Sequence, residues 1–179
     1  MQNYTSVTGR SATIIGVLLL ASFSFAATAA AESVRIVALG ASNTVGRGGT
    51  SYPAELDAML KAKGYDVQMV NAGVNGDTTA GMLARLDSAV PSGTRLVILN
   101  PANANDAKSG TRDQQGATVA QITSKLRARG IKVIVLPPLT SLGIQHSGGD
   151  TEHFDAAGYR TIAAHLLPQV MAAIGPPGK

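Results

Sequence analysis

From Val34 onward the chain alternates short β-branched runs with segments of helical period, and this alternation limits the possible fold more than any other feature. Val34–Leu39, closed by Gly40, reads as a first buried strand, and Val67–Val70, Leu96–Leu99 and Ile131–Leu136 as three more. Pro53–Lys63 between the first two sets Leu56, Met59 and Leu60 on one helical face, with Asp57 four residues before Lys61. Pro53 suits a first helical turn and Gly64 a C-terminal cap. Thr78–Val90 repeats Leu83, Leu86 and Val90 at helical spacing until Pro91 and Gly93 stop it. Residues 112–129 turn Val119, Ile122 and Leu126 inward and close at Gly130. A last helix starts at Ala156 with Tyr159, Ile162, Ala163 and Leu166 on one face, and Pro168 is expected to kink or end it. With no hairpin signal and no internal repeat, β-α repeated four times predicts an α/β fold in a single domain. Its parallel sheet is covered by helices on both faces, a three-layer α/β/α sandwich.

The segment before this pattern reads as an address. Arg10 is the only charge in residues 1–31, and Ile14, Ile15 and Val17 to Leu20 lead into an Ala- and Ser-rich tract ending in Ala29-Ala30-Ala31. A positive start, an apolar block and an A-x-A exit describe a secretory signal peptide over residues 1–31, cleaved after Ala29 or Ala31. A permanent anchor needs about 20 apolar residues, but the small-residue second half favours cleavage. The expectation is a periplasmic or secreted domain over residues 32–179, with no stable membrane anchor after cleavage. The 45% apolar content of the whole chain is inflated by this leader.

Composition removes several function classes. There is no cysteine, which excludes disulfides, thiolate zinc sites and a catalytic thiol. The formal charge of +4 is spread along the chain and aromatics are only 4%, so a nucleic-acid platform is not expected. The three histidines, His146, His153 and His165, form no HExxH pair, and no metal or other cofactor is expected.

In parallel sheets the working residues gather in loops leaving the carboxyl ends of the strands. The first strand leads into Gly40-Ala41-Ser42-Asn43-Thr44-Val45-Gly46, which lacks the lysine of a phosphate-binding P-loop. It also lacks the G-x-G-x-x-G of a dinucleotide site and the second glycine of a G-x-S-x-G elbow. What remains is a serine after a buried strand, either a turn residue or a nucleophile. The second loop, Asn71 to Thr78, offers Gly76 ahead of a helix capped by Asp77 or Thr78; it is either a tight turn or a place for an oxygen to approach a backbone amide. The third, Asn100 to Asp106, makes Asx turns or supplies an amide donor to an oxyanion. The last, Asp150-Thr151-Glu152-His153, is either a solvated turn or a carboxylate orienting an imidazole. Asp155 reads as the cap of the closing helix, His165 as a structural histidine within it, and His146 as an alternative base.

Together these blocks resemble the SGNH hydrolases, the GDSL-type esterases and lipases, and in particular their small secreted or periplasmic esterase and thioesterase branch. Gly40-Ala41-Ser42 resembles the nucleophile block, NAGVNGDTTAGMLARL (71–86) the glycine block, Asn105-Asp106 the asparagine block and DTEHFDAAGY (150–159) the Asp-x-x-His block. The resemblance implies a flavodoxin-like hydrolase fold, with Ser42 as nucleophile, His153 as general base and Asp150 as its orienter. It implies an oxyanion hole formed by the Ser42 amide, the Gly76 amide and the Asn105 side chain. Two positions depart from the family pattern: Ala41 replaces an aspartate, and Asn103 stands where the asparagine block has glycine, which leaves Asn103 as an alternative donor. The implied substrate is a small-molecule ester or thioester; a carbohydrate acetate, or a non-catalytic binding role, is the alternative. Residues 137–149 include Gly143, Gly148 and Gly149 and encode no long lid, so an open, shallow site for short or aryl acyl groups is expected.

Overall fold

The computed structural model describes residues 1–2, 33–144, 146, 150 and 152–177. The chain divides into two units, Met1–Ala30 and Ala31–Lys179. The expected leader lies outside the described residues apart from its first two, and the elements among the described residues belong to the second unit. Among the described residues no helix is long and apolar enough to cross a membrane.

The elements run β1 (Val34–Gly40), α1 (Ser42–Val45), α2 (Tyr52–Ala62), β2 (Val67–Gly73), α3 (Thr79–Ala84), α4 (Leu86–Ala89), β3 (Thr94–Leu99), α5 (Asn103–Lys108), α6 (Arg112–Ala128), β4 (Lys132–Val135) and α7 (Ala156–Ile174), with a short 3-10 turn at Leu139–Leu142. The four strands form one parallel sheet in the order β2-β1-β3-β4. The sheet is doubly covered. Ile36 and Ala38 of β1 and Leu96 and Ile98 of β3 face a core built with Leu56 and Leu60 of α2 and Tyr159, Ile162 and Leu166 of α7. The alternate residues Val37, Leu39, Val97 and Leu99 face Met82, Leu86, Ile122 and Leu126 of α3, α4 and α6. The period of two along each strand splits consecutive apolar residues between two cores, which is why these strands read as unbroken apolar runs.

The helix ends follow local chemistry. Ser51 caps α2 by accepting the Ala54 N–H, Lys61 pairs with Asp57 at 2.7 Å, and Gly64 leaves the helix with φ +82°. Thr78, not Asp77, caps α3 through the Gly81 N–H at 3.0 Å. Asp155 caps α7 through the Gly158 N–H at 2.8 Å.

Three expectations are corrected. The segment 78–90 is not one helix: it breaks at Arg85, whose side chain turns inward to the Gly40 and Ala72 carbonyls at 3.2 and 3.0 Å. The asparagine-rich stretch after β3 is not an open loop but contains α5, because its polar side chains bond to other elements instead of to their own backbone. Pro168 does not end α7, which continues to Ile174. The carbonyl left without the bond that proline cannot donate belongs to Ala164, four residues earlier and exposed. Of the connection expected to carry no lid, residues 139–142 form the 3-10 turn, while 145 and 147–149 lie outside the described residues.

One buried acid ties α5 to its neighbours. Asp106, 1% exposed, accepts the Thr79 N–H at 2.9 Å, the Thr79 hydroxyl at 2.5 Å and the Gln115 amide at 2.6 Å. Asp106→Ala strands these donors away from water, and urea unfolding should show a loss of at least about 2 kcal/mol. Asp106→Asn, which keeps the shape and one acceptor, should lose less.

Candidate active site

The carboxyl ends of β1, β2 and β3 open onto one surface, and the residues singled out from the sequence gather there. Ser42 is the first residue of α1, immediately beyond β1, so its N–H has no intrahelical acceptor. Side-chain amides pin this turn from both neighbouring strands. Asn71 at the end of β2 donates to the Thr44 carbonyl at 2.7 Å, and the buried Asn100 after β3 donates to the Thr44 hydroxyl at 3.3 Å. The buried Tyr52 hydroxyl lies 3.4 Å from the same Thr44 oxygen, and burial pushes its phenol well above the ordinary tyrosine range.

The glycine loop follows β2. Gly76 has φ +74°, a conformation that disfavours any side chain, and a Cβ placed there would meet nothing within 4 Å. Gly76 also lines the cavity described below. Asn105 reaches this loop from α5 by donating one amide hydrogen to the Asp77 carbonyl at 2.7 Å, and the second hydrogen of that amide is available to another acceptor.

The last loop carries the acid and the imidazole. Asp150 Oδ1 accepts the N–H groups of Glu152 and His153 at 2.8 and 3.0 Å, a bend that brings the two side chains together. Asp150 Oδ2 lies 2.9 Å from His153 Nδ1. An ionised carboxylate can only accept, so Nδ1 is the donor in this contact and Nε2 is the nitrogen left for other partners. Three further contacts hold this loop against α1, the turn after it and α5: Arg47 pairs with Asp150 Oδ2, Lys108 pairs with Glu152, and Asn43 donates to the Glu152 carbonyl at 2.9 Å. The Lys108 ammonium holds the Glu152 carboxyl below the usual carboxylate range.

Two cavities meet at Ser42, Asn105 and Glu152. The polar one, about 550 Å³, is also lined by Gly76, Arg47, Lys108, Asp150 and His153. The other, about 260 Å³, is walled by Ala104, Pro138, Leu139 and Phe154 and also touches Asn103. Ser42, Gly76, Asn105, Asp150 and His153 therefore share one cavity. Asn103 lines only the neighbouring one, as does His146, whose ring stacks on Phe154 with centroids 4.8 Å apart. His165 is exposed on α7. Among the described residues no group of three or more histidine or acidic side chains is placed to hold a metal ion.

Sequence reasoning missed Arg47, Lys108 and Asn43 as contacts of the Asp-His loop, since they lie far from it in sequence.

Comparison with known proteins agrees with this architecture. The family model described as GDSL-like lipase/acylhydrolase matches residues 38–169. Over 84 residues the chain is 36% identical to the esterase TesA of Pseudomonas aeruginosa. That match takes in 46% of this chain and 42% of the relative, so it spans less than half of the relative's length. The crystal structure of AlinE4, an SGNH-hydrolase family esterase, superposes with a TM-score of 0.58 at 25% identity, covering 80% of this chain and 98% of that one. The crystal structure of TesA superposes with a TM-score of 0.57 at 26% identity, covering 78% and 97% respectively. With its parallel sheet, its strand-end cavity and a family match running from β1 into α7, the chain belongs to the GDSL-like lipase/acylhydrolase family of SGNH hydrolases.

Proposed function

We propose that this protein hydrolyses carboxylic esters or thioesters of small acyl groups through an acyl-serine intermediate. The observation that carries this reading is the Asp150–His153 contact facing a cavity that Ser42, Gly76 and Asn105 also line. His153 Nε2 takes the proton from Ser42 Oγ as that oxygen attacks the carbonyl carbon. Asp150, fixed on Nδ1, stabilises the imidazolium that results. The carbonyl oxygen gains its negative charge beside the Gly76 and Ser42 amides and the free hydrogen of Asn105. His153 then protonates the leaving group, and an activated water releases the acid. The esterase relatives support the reaction class. The Arg10-led apolar segment with its small-residue exit supports an exported, periplasmic or secreted enzyme.

A second reading, removal of acetyl groups from a carbohydrate, draws on the polar cavity, where Arg47, Asn75 and Lys108 offer donors to a hydroxyl-rich alcohol. Comparing acetylated sugars with p-nitrophenyl acetate separates the two.

Ser42→Ala should abolish both p-nitrophenyl ester hydrolysis and labelling by an organophosphonate; continued labelling would remove the serine from the mechanism. Asn105→Ala should lower kcat about 10²–10³-fold, the cost of losing one oxyanion donor. A larger loss in Asn103→Ala than in Asn105→Ala would transfer the role to Asn103. The apolar cavity of about 260 Å³ is smaller than ordinary ligand pockets of roughly 300–1,000 Å³. In a p-nitrophenyl ester series kcat/KM should therefore peak at short or aryl acyl groups and fall toward palmitate.

A further inference from the structure

Asp77 is free of the capping role its position suggests, since Thr78 holds the Gly81 N–H. Its carboxylate instead receives Arg85 Nε at 2.8 Å, a pair whose side chains are only 24% and 10% exposed. The same guanidinium donates through Nη2 to the Gly40 carbonyl at 3.2 Å and to the Ala72 carbonyl at 3.0 Å. One planar fork therefore touches the end of the strand that launches Ser42, the end of the strand that launches the glycine loop, and the loop itself. The loop transmits this hold to the donors. Asp77 follows Gly76 directly, its N–H closes a turn onto the Val74 carbonyl at 3.2 Å, and its carbonyl receives the Asn105 amide at 2.7 Å. Space is also reserved for the carboxylate. A Cβ at Gly81, a helical position with no unusual φ, would lie 2.1 Å from Asp77 Oδ1.

The geometry points to Arg85 and Asp77 as a positioning pair that sets the spacing between Ser42 and the Gly76 and Asn105 donors. This role rests on the proposed oxyanion hole. Neither residue lines the polar cavity, so neither touches substrate. Their effect reaches the reaction only through where the donors stand. Donors misplaced by a fraction of an ångström still admit the neutral carbonyl but bind the tetrahedral oxyanion poorly, so the loss falls on kcat. A guanidinium suits this task because its donors are fixed in one plane; a lysine ammonium is a point charge on a flexible stem.

Steady-state kinetics on p-nitrophenyl butyrate with R85M, R85K and G81A test this, alongside S42A, thermal melting and inhibition by a trifluoromethyl ketone, whose serine adduct carries the oxyanion. G81A displaces the Asp77 carboxylate while leaving both members of the pair in place, and alanine favours the helix it enters. Each folded variant should lose about 10- to 100-fold in kcat. KM should stay within about twofold of wild type, as for a group acting only in the transition state. Trifluoromethyl ketone affinity should fall in step with kcat. If R85M does not fold, R85K and G81A carry the test. Wild-type kcat in a folded variant overturns the positioning role while S42A remains inactive. So does a fall in kcat accompanied by a lowered melting point and unchanged inhibitor affinity, the pattern of a merely structural contact. Full activity in S42A defeats the reading of the site itself and takes the positioning role with it.

Discussion

The pairing of β1 between β2 and β3 is the constraint on which the rest of the molecule depends. Gly40 stands beside Gly73 and Leu39 beside Leu99, so the three strands end within a residue or two of one another on the same side of the sheet. The chain visits β2 on one flank of β1 and then crosses to β3 on the other, leaving a crevice where the order reverses. Ser42, Gly76 and Asn105 come from the segments that follow these three strands. Their convergence is a product of backbone hydrogen bonding in the sheet, reinforced by two cores that fix its faces.

Different interactions hold the two halves of the site. On the sheet side the restraints are buried or part-buried hydrogen bonds: the Asn71 and Asn100 amides on the Thr44 turn, Arg85 against two carbonyls, and Asp106 against Thr79 and Gln115. On the other side the Asp150–His153 loop is held partly by ion pairs to Arg47 and Lys108, whose side chains are about 60% exposed. Such exposed pairs contribute little each, roughly 0–1 kcal/mol, and are screened by salt. The Asp150 bend and the buried Phe154 beside it are the stronger constraints, because Phe154 anchors the loop in the α2–α7 core.

Most of the fold was legible because it is written in local periodicity. β-branched runs such as Leu96–Leu99 are buried on both faces and cannot be mistaken for amphipathic strands, and α2 carries a serine, a proline and a glycine at its ends. Legibility failed where a tertiary bond outweighed local preference. The turn at Arg85 depends on carbonyls at residues 40 and 72, and α5 forms because Asn105 and Asp106 bond to the segment 77–79. For the site, each block was visible as residue types at strand ends. The contacts of Asn43, Arg47 and Lys108 required three-dimensional placement, because neither residue type nor spacing reveals them.

The span between Asn43 and Glu152, which touch across 109 residues of chain, bears on how the molecule assembles. Neighbouring β-α units can form from contacts close in sequence, whereas this contact closes a loop that spans most of the fold. The cavity therefore rests on one of the costlier loop closures in the chain. Recovered secondary structure can precede a working site, and any chemistry performed in the cavity reports on completed folding rather than on collapse.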